Sequence, residues 1–249
     1  MGNLELHFHL LPGLDDGPTS IEESVELARA AAAEGTDTIV ATPHINPRWM
    51  TDVDALDERV AQLAERLRRE RVAITVLPGA ELDPTMVERL AQRDLELIAH
   101  GPPGRRWLLL EAPLTGLEPA FNAVADELRA RGFAVLVAHP ERSLRPTTED
   151  WRVLTHELAA GSALQVNAWS LAGLYGACAR TSALRFLLAC SGRVVIASDA
   201  HGGDRKPSLE LARETLAGLG ILDPARFFTT LPRSLLEHGL HLRPLTAAA

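Results

Sequence analysis

Short apolar runs and longer amphipathic stretches alternate along the chain. The first run, Leu4–Leu11, leads through a turn-rich segment into SIEESVELARAAAAEG. There Ser20 predicts a helix N-cap, Glu23 stands at the third helical position of a capping box, and Gly35 ends the helix. The cycle repeats with strands predicted over 37–42, 72–78, 107–111, 133–139, 163–167 and 193–198. Helices are predicted between them over 52–70, 84–93, 118–131, 148–160 and 181–191, followed by a helical tail. Strands separated by helices imply parallel pairing with right-handed crossovers. Strands written as unbroken Val/Ile/Leu/Ala runs imply burial on both faces. A (β/α)7 barrel is the α/β architecture this favours, with an open doubly wound sheet as the alternative. No composition shift marks a linker, and GPPG at 101–104 reads as a surface turn. Residues 1–249 therefore read as one domain, at a size α/β barrels commonly use.

Composition narrows the functional classes. With 46% hydrophobic and 23% charged residues the chain belongs with globular proteins. Its 25 Lys+Arg against 33 Asp+Glu, a formal net charge of −8, argue against non-specific binding to nucleic acid or anionic membrane. No window approaches the ~20 apolar residues of a membrane span, and no basic-then-apolar leader is expected from the opening residues. Cys178 and Cys190 are too few for a disulfide framework and fit a reducing compartment, so a cytoplasmic location is expected.

The chemistry-bearing side chains fall at one kind of position. His7 and His9 end the first predicted strand, His44 follows the second, Glu81 the third, and Glu111 ends the fourth. His139 ends the fifth, and Asp199 and His201 follow the seventh. In parallel α/β folds these carboxyl ends open onto one face, so residues distant in sequence converge there. Taken singly each is ambiguous: His-x-His shares a face simply by pleating, Glu81 also reads as a helix cap, and Asp16 in GLDDG as a turn residue. Together they single out five of nine histidines, whereas His100, His156, His238 and His241 read as structural or surface groups. Imidazole and carboxylate ligands without thiolate suit Mn, Fe or Zn, and their number implies two or three ions. Neither cysteine has an arginine six residues later, and no nucleophile elbow, Walker loop or G-x-G-x-x-G occurs, so covalent and nucleotide-cofactor chemistry recede.

The segment HFHLLPGLDDGPTSIEESVELARAAAAEGTDTIVATPH, with PGAEL at 78–82, LLLEAP at 108–113, AHPER at 138–142, LQVNAWSLAGLYG at 164–176, ASDAH at 197–201 and LPR at 231–233, closely resembles a known family. It is that of the bacterial manganese-dependent protein-tyrosine phosphatases of the polymerase and histidinol phosphatase (PHP) superfamily, associated with capsule and exopolysaccharide genes. The resemblance implies a distorted (β/α)7 barrel of the PHP fold and three divalent ions, manganese foremost with iron or zinc as alternatives. His7, His9, Glu81 and Asp199 would hold the first ion; Glu81, Glu111 and His139 the second; Asp16, His44 and His201 the third. Arg142 matches one phosphate-binding arginine, while family spacing for the second lands on Lys206, with Arg205 one residue short. Trp169 and Leu231 stand where the family commonly has a small residue and asparagine.

The implied reaction is attack of a metal-activated hydroxide on phosphotyrosine. Three divalent ions against four carboxylates leave a centre of about +2, suited to an anionic substrate in an acidic protein. The phenolate leaving group, of parent pKa about 10, departs more readily than an alkoxide. The implied partner is the tyrosine-rich tail of a bacterial tyrosine kinase that controls polysaccharide export. Two other enzymatic readings use the same metal site, a phosphatase for a small metabolite such as histidinol phosphate or a sugar phosphate, and a phosphodiesterase. A non-enzymatic reading is a metal-binding regulator of polysaccharide assembly.

Overall fold

The computed structural model describes residues 2–49, 52–143 and 148–242. Its strands are β1 (Asn3–Phe8), β2 (Thr36–Ala41), β3 (His44–Ile45), β4 (Thr75–Pro78), β5 (Glu81–Leu82), β6 (Trp107–Glu111), β7 (Ala134–Ala138), β8 (Ala163–Asn167) and β9 (Val194–Ala197). The helices are α1 (Ile21–Ala33), α2 (Leu56–Arg69), α3 (Gln92–Ile98), α4 (Pro119–Ala130), α5 (Pro140–Ser143), α6 (Thr148–Ala159), α7 (Ala168–Ala172), α8 (Ala177–Ala189), α9 (Leu209–Gly218) and α10 (Thr230–His238). All strand pairings are parallel, in the orders β1-β2-β4 and β3-β5-β6-β7-β8-β9. Two predicted strands are each followed by a break and a short second piece, β2 with β3 and β4 with β5. Pro43 and Pro78 lie at these interruptions, and proline supplies no ladder donor. A parallel bridge from Phe8 to Ala200 links the two sheets, with His9 N donating to Ala200 O (2.9 Å) and Asp199 N to His7 O (3.1 Å).

The sheets are buried on both faces, as the unbroken apolar runs predict. One cluster gathers Leu6, Val40, Trp107, Leu109, Leu136, Ala163 and Val195, and Leu235, Leu236 and Leu240 from α10 and the residues after it close over it. Trp107 is fully buried there, and its indole N–H donates to Leu235 O (2.9 Å), so the aromatic body is desolvated without orphaning its polar atom. The larger cluster lies on the other face, beneath the helices, and runs from Phe8 to Phe228. Because a strand repeats every two residues, Trp107 and Leu109 share a face with Glu111, and Ala163 with Gln165 and Asn167. That face is apolar at its foot and polar at its carboxyl end.

Two of the predicted helices depart from expectation, and the short helices α5 and α7 fall where none is predicted. The predicted helix over 84–93 is a 3-10 turn, Pro84–Arg89, then α3. Asp83 caps the first piece through Thr85 N (2.7 Å), and Asp94 takes the Ala91 N–H (2.9 Å), so each piece carries its own cap. The helix predicted from 181 begins at Ala177, after Gly176.

Arg129 on α4 is buried against α6. Its guanidinium reaches Asp126 (2.5 Å), Ser162 Oγ (2.7 Å) and the buried carboxylate of Glu157. Glu157 also accepts from Asn122 Nδ2 (2.7 Å) and Ser162 Oγ (2.8 Å). Removing one partner of such a pair strands a charge without water. Arg129→Ala is therefore expected to destabilise the fold by about 3–5 kcal/mol in urea denaturation. Arg68→Ala, which breaks the exposed Arg68–Glu65 pair, is expected to leave the urea midpoint essentially unchanged, because solvent screens such a pair.

Candidate metal centre

All nine ligand-type residues singled out in the sequence converge, seven from carboxyl ends of strands or the loops that follow, and His44 and Glu81 from the starts of the short strands β3 and β5. His7 is in β1 and His9 just beyond it, Asp16 precedes α1, His44 opens β3, Glu81 opens β5, Glu111 closes β6, His139 follows β7, and Asp199 and His201 follow β9. Four sets bring one ligand atom per residue within 4.8 Å of one another: His9, Asp16, His44 and His201; His7, His9 and Glu81; His7, His139 and Asp199; and His44, Glu81 and Glu111.

Glu81 is at the middle. Its Oε2 lies 3.1 Å from His7 Nε2, 3.4 Å from His9 Nε2 and 3.0 Å from His44 Nδ1, and its Oε1 lies 2.9 Å from His139 Nε2. Asp16 Oδ1 faces His201 Nε2 (3.2 Å) and His44 Nε2 (3.4 Å). Asp199 is divided in function. Its Oδ1 faces His7 (3.4 Å), His9 (3.5 Å) and His201 (3.5 Å). Its Oδ2 accepts from Arg142 Nη1 (3.0 Å), Arg205 Nη2 (2.9 Å) and Asn167 Nδ2 (2.9 Å).

These contacts set the electrostatics. Burial alone would raise Glu81, but His7, His139 and His44 hold its carboxyl well below the usual range. Asp199 is likewise held low against its burial, by His7 and Arg205. Burial disfavours the charged form of His7, yet Glu81 and Asp199 outweigh it and lift the imidazole to about 9. Asp16 and Glu81 lift His44 to about 11 against its burial. His201 is pushed down to about 4 by burial and by His9. Burial and the neighbouring Glu81 raise Glu111 to about 7. The centre is thus a low-dielectric pit whose carboxylates draw positive charge.

A divalent ion fits this donor set. Glu81 Oε2 is buried beside three imidazole nitrogens yet accepts no well-aligned hydrogen bond, and His139 Nδ1 and His201 Nε2 are also buried without one. Nitrogen and oxygen donors in this mixture, with neither cysteine among them, match Mn, Fe and Zn. Backbone strain gathers here too. Among the described residues only Arg71, His139 and Asp199 are non-glycine residues with positive φ, and His139 (+33°) and Asp199 (+53°) are both in the centre. Strain of this kind persists where surrounding contacts over-determine it.

Of the three basic residues singled out, Arg142 and Arg205 meet on Asp199, and Arg205 Nη1 also approaches Asp16 (3.6 Å). Lys206 instead lines a cavity of about 680 Å3 that opens onto the centre at Asp16 and His201 and runs along Pro18, Glu22 and Leu27. Trp169 packs its ring against Tyr175, 5.7 Å between centroids.

Three participants escaped the sequence reading. Asp15 Oδ2 sits 2.6 Å from His9 Nδ1 and accepts from His44 N (3.0 Å), while its Oδ1 accepts from Gly17 N (2.9 Å). Gln165 Oε1 lies 2.9 Å from His7 Nδ1 and accepts from His139 N (3.0 Å). Asn167 joins Asp199 to the start of α7 through its Oδ1, which accepts from Trp169 N (3.0 Å). Each fixes the nitrogen or carboxylate turned away from the centre. The signal for the last two was two polar residues at i and i+2 of an otherwise apolar strand.

Comparison with known proteins agrees with this geometry. A family model described as capsular polysaccharide synthesis, CpsB/CapC, matches residues 3–220. The tyrosine-protein phosphatase YwqE of Bacillus subtilis (strain 168) is 33% identical over 201 residues, covering 80% of this chain and 77% of its own. The putative tyrosine-protein phosphatase CapC of Staphylococcus aureus is 29% identical over 207 residues, covering 82% and 79%. A structure from the crystallographic study of YwqE and of CpsB from Streptococcus pneumoniae, described as unique metal-dependent tyrosine phosphatases, matches with a TM-score of 0.79 at 30% identity, covering 94% of both chains. A mutant organophosphorus hydrolase from Deinococcus radiodurans matches with a TM-score of 0.58 at 15% identity, a likeness of fold alone. With the match running through every strand that delivers a side chain to the centre, the chain belongs to the CpsB/CapC family of capsular polysaccharide synthesis proteins.

Proposed function

We propose that the chain is a metal-dependent protein-tyrosine phosphatase. Its substrate on this reading is a phosphotyrosine protein, the tyrosine-rich tail of a bacterial tyrosine kinase tied to capsule or exopolysaccharide synthesis. The observation that carries the reading is the division of Asp199, with one oxygen toward three imidazoles and the other toward two arginines. A cation site and an anion clamp therefore share one carboxylate, the arrangement a phosphate ester hydrolysed at a metal centre needs.

Three ions, manganese foremost, are assigned to the ligands His7, His9, Glu81 and Asp199; Glu81, Glu111 and His139; and Asp16, His44 and His201. When bound, such ions lower the pKa of water toward about 7 and draw charge from phosphoryl oxygens. The chain's residues do the rest. Arg142 and Arg205 bind and orient the phosphate, each guanidinium offering a planar fork that matches two phosphoryl oxygens. Lys206 faces the adjoining cavity and is assigned no phosphate contact. Asp15 and Gln165 keep the distal nitrogens of His9 and His7 engaged, which directs the opposite nitrogens inward.

The fold is read as one domain with a distorted (β/α)7 barrel. The supports are the pairing of β2 with β4 and of their second pieces β3 with β5, the Phe8–Ala200 bridge as seam, and a core shared from Phe8 to Phe228. A cytoplasmic location is proposed on the two unpaired cysteines. No helix among the described residues is long and apolar enough to cross a membrane.

The test is hydrolysis of a phosphotyrosine peptide with manganese or with chelator, alongside a phosphoserine peptide and histidinol phosphate. Chelator-sensitive turnover selective for phosphotyrosine is expected; activity confined to histidinol phosphate would move the function to small metabolites. His9→Ala and Asp199→Ala should nearly abolish turnover. Arg142→Ala and Arg205→Ala should each raise KM by at least about 30-fold, while Lys206→Ala leaves KM within about 2-fold. Asp15→Ala, followed by calorimetric titration with manganese, is expected to weaken metal affinity about 10–100-fold.

A further inference from the structure

Arg142 is the more deeply set of the two arginines on Asp199, yet a long flexible side chain still has many alternatives to the pose that meets a phosphate. Its guanidinium carbon lies 4.3 Å from the centroid of the Tyr175 ring. The Tyr175 ring leans on Trp169, whose backbone N–H is held by Asn167 Oδ1 (3.0 Å), and the same amide's Nδ2 donates to Asp199 Oδ2 (2.9 Å). Asp199 Oδ2 in turn accepts from Arg142. The contacts close into a ring: Asp199, Arg142, Tyr175, Trp169, Asn167 and Asp199 again.

We propose that Tyr175 is a positioning residue for Arg142, with Trp169 as its backing, and that this aromatic stack pre-sets the guanidinium for a phosphate monoester. The proposal rests on the reading of Arg142 as a phosphate ligand. Tyr175 reaches its place because the chain between α7 and α8 turns at Gly173 (φ +85°) and Gly176 (φ +92°), left-handed conformations that favour glycine. A ring face against a guanidinium adds attraction while leaving the in-plane N–H donors free. One of those donors goes to Asp199, and the remainder of the five-donor fork can meet phosphate oxygens. Holding the fork in one plane before substrate arrives removes an ordering loss that would otherwise weaken binding. Trp169 also acquires a role here: a small residue at that position could not support the Tyr175 ring from behind.

The experiment uses manganese-loaded enzyme with Tyr175→Phe, Tyr175→Leu, Trp169→Ala and Arg142→Ala, a phosphotyrosine peptide as substrate, and inorganic phosphate as competitive inhibitor. Tyr175→Leu keeps apolar bulk but removes the ring face. It is expected to raise KM and the phosphate inhibition constant together by about 3–10-fold, with kcat within about 2-fold. Tyr175→Phe should restore both constants, and Trp169→Ala should fall between. Equal values for the Leu and Phe variants, at a level where Arg142→Ala does shift both constants, would overturn the proposal by making Tyr175 a packing residue only. If Arg142→Ala shifts neither constant, the phosphate assignment of Arg142 fails and the proposal falls with it, an outcome separable from the first. Thermal unfolding of each variant separates loss of fold from loss of binding.

Discussion

Two carboxylates, Glu81 and Asp199, are buried within a few ångströms of each other's imidazole partners, and the rest of the structure answers to that. A charge taken out of water is tolerated only where opposite charge and donors surround it. Here those partners come from strands far apart in the chain, so the carboxyl ends of the sheet are drawn to one point. The same demand explains the backbone. His139 and Asp199 hold positive φ, which costs of order 1–3 kcal/mol each, at the turns that swing their side chains inward. His139 is fixed in that pose by Gln165 and Glu81, and Asp199 by His7, Asn167 and both arginines.

The sheet separates two environments with one repeating rule. Alternate residues of β6 read Trp107, Leu109, Glu111, and those of β8 read Ala163, Gln165, Asn167. The foot of each column is apolar and closed by α10 through Leu235 and Leu236; the top carries ligands and the groups that orient them. An apolar foot sealed against water keeps the local dielectric low beneath the centre, which strengthens each attraction above it. It also makes any unpaired group there expensive. Glu5, next below His7 on β1, shows this: burial raises its carboxyl to about 8 despite a hydrogen bond from Ser198 N.

What the sequence made legible follows from the same rule. Unbroken apolar runs and the helices between them are local signals, so the strands and eight of the ligand-type residues, those at or just after strand ends, could be read from the chain in order, whereas Asp16 entered through the family resemblance. Interruptions were harder. The strands read over 37–42 and 72–78 end at these interruptions, and the two-residue pieces β3 and β5 beyond them are too short to carry an apolar run of their own. Asp15 was hidden by its neighbour: of the two aspartates in GLDDG, Asp16 faces the imidazoles of His44 and His201, and Asp15 takes both the turn at Gly17 and the back of His9. Tyr175 gave no local sign, since its contact with Arg142 joins a loop before α8 to a helix after β7.

The second arginine shows how tertiary geometry overrides spacing. Counting along the family pattern leads to Lys206, yet Arg205 is the side chain on Asp199. The reason is the tight turn between them. Gly202 and Gly203 adopt φ of +85° and +56°, and Gly202 and Arg205 form an antiparallel bridge, with Arg205 N donating to Gly202 O (2.9 Å) and His201 N to Arg205 O (2.9 Å). The chain is folded back on itself immediately after His201, so the residue ending the turn faces Asp199, while Lys206 lines the cavity that α1 shares with Asp16 and His201. Guanidinium, with its planar fork, is the group beside the carboxylate, and the lysine, a compact point charge, stands in the cavity next to it.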